Sequence, residues 1–183
     1  MFHRFKCKKS NVLKGFNSQI LHIATHGFFE KDSEDLEIEY GEKNFDNSRG
    51  ETKFSNTNHP SLRSGLVFAK TPNKSNILTA MEISNMNLDE VDLLVLSACE
   101  TALGEIKGSD GVYGLQRSFK IAGVKYVIVS LWKVPDNESK EFMTTFYKLL
   151  FQGELIELAF NETKNIMSKK YDPYYWSAFV LTR

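Results

Sequence analysis

Residues 91–105 read VDLLVLSACETALGE. The first half is a short Leu/Val run, and at Cys99-Glu100-Thr101 the chain turns abruptly polar. That is the pattern of a strand buried on both faces and ending at the rim of a sheet. Two further runs share this character, QILHIAT at 19–25 and VKYVIVSLW at 124–132. Between the second and third runs, Val112, Leu115, Phe119 and Ala122 fall on one helical face, and Gly123 suits the C′ position that ends a helix. Strands separated by helices predict an α/β fold, a mostly parallel sheet flanked by helices.

The same reading extends outward. Residues 66–69 suit a short strand, and 76–86 a helix with Leu78, Met81 and Ile83 inward. Asp136 is placed to N-cap a helix whose stripe is Phe142, Phe146, Leu149 and Leu150, ended by Gly153. A helix over 154–169 is expected to turn Leu155, Leu158 and Ile166 inward. The tail YYWSAFVL at 174–181 reads as an extended aromatic segment closing the core.

The chain has 183 residues, of which 42% are hydrophobic, and this suits one domain with a sizeable core. Lys+Arg and Asp+Glu number 23 each, and such a balance disfavours nucleic acid as a partner. No apolar run approaches the roughly 20 residues that span a bilayer. Residues 1–18 form a short basic segment without the apolar stretch of a secretory signal, so a soluble, cytoplasmic protein is expected. The domain proper is read as 19–183. Within it, residues 30–58 hold nine acidic and four basic side chains and few aliphatic ones, which marks a long surface insertion able to limit access to a nearby site.

Open α/β sheets carry their sites at the carboxyl ends of the strands. His26-Gly27 ends the first run and Ala98-Cys99 ends the second. A thiol at a rim needs a base to become thiolate, and an imidazole on a neighbouring strand end suits that task. Gly27 lets another backbone approach and leaves its N–H to face an oxyanion. His22, four residues before His26, reads as structural. A metal site is disfavoured, because His26 and Cys99 supply two ligands and no CxxC or HExxH spacing supplies more.

The blocks LHIATHGFF (21–29) and LLVLSACETALGE (93–105) resemble the two catalytic blocks of the CHAT family, caspase-like peptidase domains often found with tetratricopeptide (TPR) repeats. The resemblance continues in order through SGLVFAK (64–70), LTAMEI (78–83), GVYGLQRSFKIAGVKYVIVSLWKV (111–134) and YYWSAFVL (174–181). It implies a caspase-like fold and a cysteine endopeptidase acting on protein or peptide substrates, the alternative being a non-catalytic scaffold or partner-dependent subunit of the same kind that binds proteins. His26 would be the base, Cys99 the nucleophile, and the backbone N–H groups of Gly27 and Cys99 the oxyanion hole. Trp132 and Asp110 would line the substrate groove. It implies no cofactor, and a TPR-bearing segment or partner as the regulatory element. Family domains usually carry a further strand-and-helix region before the histidine block, where this chain has about nineteen residues.

Overall fold

The computed structural model describes residues 9, 18–29, 64–69, 76–97 and 110–183, with backbone alone at His26, Phe28, Phe29 and 110–113. Cys99 and the acidic insertion at 30–58 lie outside the described residues.

Among the described residues the central sheet has four strands: β1 (Ile20–Ile23), β5 (Leu93–Leu96), β6 (Tyr126–Ser130) and β7 (Phe179–Thr182), in that spatial order. β1 runs parallel to β5 and β5 parallel to β6, while β7 returns antiparallel to β6. This is the expected α/β arrangement, mostly parallel and flanked by helices. β5 lies between two neighbours, and all four of its side chains are buried. Their alternation divides the core in two. Leu94 and Leu96, with Val127 and Val129 of β6, pack on one face against α1 (Ala80–Ser84) and α2 (Asp110–Ile121). Leu93 and Val95, with Ile128, pack on the other face against α3 (Asp136–Phe151) and α4 (Ile156–Ser168).

A second, antiparallel sheet joins β2 (His26–Phe29), β3 (Ser64–Val67) and β4 (Ile77–Thr79). Two expectations change here. His26 opens β2 and does not end β1, because the chain leaves the central sheet at Ala24–Thr25. The expected helix at 76–86 begins only at Ala80, after β4. Thr79 is both the last residue of that strand and the N-cap of α1, where it forms a capping box with Glu82. Glu82 also accepts from Lys9 Nζ at 2.6 Å, which ties that residue to this corner.

The expected stop at Gly123 is a Schellman turn. Val124 N–H donates to Phe119 O and Gly123 N–H to Lys120 O, with Gly123 at φ 108°. Asp136 is the first residue of α3 and not its cap. Pro135 occupies the cap with no side-chain hydrogen bond, and Asp136 contributes its charge to the first turn instead.

The face of α4 is rotated from the expected one. Leu155, Leu158 and Ile166 are exposed, while Ala159, Phe160, Thr163 and Met167 are buried. The buried set keeps i, i+4, i+8 spacing and brings Phe160 edge-on to Phe142. The tail is not wholly extended either. Residues Pro173–Trp176 form a short helix, α5, capped by Asp172, and β7 follows it. Among the described residues no helix is long and apolar enough to cross a membrane.

Candidate functional site

β1 and β5 end side by side. Ile23 is opposite Leu96, and Ser97 N–H donates to Ile23 O at 2.9 Å, the last bond of that ladder among the described residues. Two residues beyond Ser97 comes Cys99, and three beyond Ile23 comes His26. The link from β1 to β2 is pinned at its far side, because Thr25 Oγ1 donates to Val67 O of β3. His26 is opposite Val67 and Gly27 opposite Leu66. The backbone that carries His26 and Gly27 is therefore held between two sheets.

A cluster that the sequence reading undervalued lies beneath this edge, on the face covered by α3. His22 Nε2 is 2.8 Å from Ser97 Oγ, and its Nδ1 is 2.9 Å from the Tyr147 hydroxyl. Period-two alternation explains the meeting. His22 is opposite Val95, so the side chain two positions on, Ser97, shares its face. Tyr147 reaches in from α3 with its ring 5.8 Å from the imidazole. His22 is exposed by area because β1 is the outermost described strand of its sheet. Crowding by the helix layer still disfavours the imidazolium and lowers its pKa. Burial also pushes the Tyr147 hydroxyl up to about 12, so it stays protonated. A neutral imidazole carries one N–H, and the two hydroxyls can each donate or accept, so either tautomer satisfies both bonds.

At the carboxyl end of β6, Trp132 packs against the α3–α4 side of the core. Its indole N–H donates to Tyr174 O at 2.9 Å, and the Tyr174 hydroxyl returns a bond to Lys133 O at 3.2 Å. The indole N–H is thus taken by the protein, and what Trp132 has left to offer a ligand is ring surface. Asp110 is the first residue of α2, and its side chain is not among those described. A shallow groove of about 480 Å³ lined by Leu149, Leu158 and Glu162 lies at the α3–α4 turn.

Sequence reasoning named the strand ends but passed over His22 as a contact-maker. A polar Ser97 closing an apolar strand opposite a histidine-bearing one was the available signal. Tyr147, 125 positions from His22, had none.

A family model for the CHAT domain matches residues 2–183. Tetratricopeptide repeat protein 28 of Mus musculus is 34% identical over 113 residues, covering 60% of this chain and 4% of that protein. The Homo sapiens protein of the same name is 35% identical over 108 residues, covering 57% of this chain and again 4% of the relative. The chain thus spans a small fraction of the curated relatives it matches.

Proposed function

This chain belongs to the CHAT family, a caspase-like family, and on that premise we propose that it is a cysteine endopeptidase acting through His26 and Cys99. His26 takes the thiol proton, and the Cys99 sulfur attacks the carbonyl carbon of the scissile peptide bond. The backbone N–H groups of Gly27 and Cys99 stabilise the oxyanion that forms. The intermediate collapses, His26 returns the proton to the leaving amine, and water then hydrolyses the thioester with His26 as base. Trp132 offers an aromatic face to the substrate beside the strand ends, and Asp110 adds a negative charge near the start of α2.

The observation that carries the reading is the closing bond of the β1–β5 ladder, Ser97 N–H to Ile23 O. It brings together the two segments from which the histidine and cysteine blocks continue. Sites in this architecture usually lie at adjacent carboxyl ends of the parallel strands, and it is from two such ends that the chain continues into His26 and Cys99. The relatives are named for tetratricopeptide repeats, and a TPR-bearing segment or partner is the regulator this reading expects.

A peptide-library cleavage assay on the native protein and on Cys99→Ala and His26→Ala tests it. Cys99→Ala should abolish turnover with the circular dichroism unchanged. His26→Ala should lower kcat by about 10²–10⁴-fold. Turnover near the native rate in Cys99→Ala would remove the proposal. So would a native protein that cleaves nothing and whose Cys99 fails to react with thiol-directed peptide probes; that result would leave a protein-binding module.

A further inference from the structure

We propose that His22, held between Tyr147 and Ser97, is a positioning residue that fixes the ends of β1 and β5 against each other and so sets the approach of His26 to Cys99. The inference rests on the peptidase reading above and adds to it a group that acts through the strand ends it holds.

Three observations lead to it. First, the tie is double at one residue. Ser97 donates its N–H to Ile23 O and places its Oγ on His22 Nε2, so the residue directly after β5 is held by backbone and side chain at once. Second, the histidine is itself fixed from outside the sheet. Tyr147 comes from α3, whose Phe146 and Phe142 are fully buried. The strand ends are therefore referenced to the rigid helix layer and not only to each other. Third, the chemistry suits holding and not reacting. The outer partner is a phenol that stays protonated, and it cannot stabilise an imidazolium as a buried carboxylate does in a nucleophile-generating triad. Ser97 is accordingly an anchored hydroxyl and not a second nucleophile.

Small displacements of a reacting pair are costly in rate, and a supporting shell that fixes the pair's rotamers and backbone is how enzymes avoid them. His22 is four positions before His26, and Ser97 is two before Cys99. A bond between His22 and Ser97 thus spans the two reactive blocks close to their roots.

The test uses the full chain carrying Cys7→Ser, which leaves Cys99 as its single thiol. Ser97→Ala, Tyr147→Phe, His22→Asn and His22→Gln are compared for thermal stability, for kcat and KM on a cleaved peptide, and for the rate of Cys99 alkylation by iodoacetamide. Ser97→Ala and His22→Asn should lower kcat by about 5–20-fold with KM within about twofold, and slow alkylation in parallel. His22→Gln places its amide near the Nε2 position and keeps a partner for Ser97, so it should stay within about threefold of the parent. Tyr147→Phe removes one oxygen from an intact helix and should give a smaller kcat loss of the same kind, which carries the test if a His22 variant does not fold. The proposal is overturned if Ser97→Ala retains the parent's kcat and alkylation rate. It is equally overturned if losses follow melting temperature alone and are the same for Gln and Asn. Alkylation that still depends on His26, with no effect of Ser97→Ala, sinks this proposal but leaves the peptidase reading standing. Alkylation indifferent to His26, with no peptide cleaved, sinks both.

Discussion

The Phe142 ring stacks on that of Phe179 with centroids 4.1 Å apart, so the first half of α3 is clamped directly to β7. Phe160 of α4 meets the same ring edge-on at 5.8 Å. One side chain therefore joins two helices and a strand, and it has no exposed surface.

Phe142→Ala should destabilise the protein by about 3–5 kcal/mol, the range for a buried aromatic replaced by a methyl group that leaves a cavity. Urea denaturation read by circular dichroism measures it. A loss under about 1 kcal/mol would mean that the site collapses to fill the space and that Phe142 is not the joint described.

Gly123 and Gly153 both sit at positive φ after a helix, yet they should respond differently to alanine. A Cβ at Gly123 would run into the side chain of Asp89 and come within 3.0 Å of its backbone nitrogen, whereas at Gly153 nothing lies within 4 Å. Gly153→Ala should cost about 1 kcal/mol for the backbone conformation alone, and Gly123→Ala clearly more. Equal losses in the two variants would contradict the close approach of residue 89.

Thr79→Ala removes the hydroxyl that accepts from Glu82 N–H at 3.1 Å. It should cost about 1 kcal/mol, and Thr79→Ser should recover most of it. Chemical denaturation of the three proteins decides the matter. A serine variant no better than alanine would show that the methyl group, not the cap, carries the effect.

His22 makes stability depend on pH in a definite direction. Its folded-state pKa lies below the unfolded value of about 6.5, so the unfolded chain binds more protons in the interval between the two. The contribution is complete above about pH 6.5 and is lost as pH falls through the folded pKa. Between pH 7.5 and 5.5 the native protein should lose more melting temperature than His22→Gln does. That window stays above the carboxylates that also titrate low. At Glu82 burial pushes upward, but hydrogen bonds from Lys9 and Thr79 together with the Lys9 charge outweigh it, and at Glu141 hydrogen bonds from Lys170 and Tyr171 hold it down. Identical losses in both proteins would place the acid sensitivity elsewhere.

What the sequence made legible was whatever depends on neighbours in the chain. The three Ile/Leu/Val runs marked β1, β5 and β6; β5 and β6 are buried on both faces as expected, whereas β1, outermost of the described strands, is only partly buried and was found by its aliphatic residues alone. Gly123 and Gly153 announced two helix ends. The face of α4 was misjudged because Leu155, Leu158 and Ile166 were weighted as large aliphatics. The set built on Phe160 and Met167 has the better spacing and an aromatic partner to meet. β4 was read as helix because three residues of strand are defined by their pairing with β3, and that pairing is not written locally. The contact of His22 with Ser97 was invisible for a related reason. It follows from the register of two strands far apart in sequence, and Tyr147 joins it only once α3 has packed. The placement of His26 at the start of a new strand likewise needed the second sheet to be seen.

The order of the strands also sets a folding sequence. Leu93 pairs with Tyr126 across a crossover of roughly thirty residues, whereas Ile20 must wait for Leu93, roughly seventy residues later. The entropy of closing the larger loop falls on β1, which predicts that β5, α2 and β6 form the nucleus and that β1 docks on a surface already made. Shortening Val127 to alanine should then slow refolding, while Ile23→Ala should chiefly hasten unfolding, and the two arms of a chevron plot separate these effects. On this prediction the strand that delivers the histidine block joins the β5–β6 core late and parts from it early.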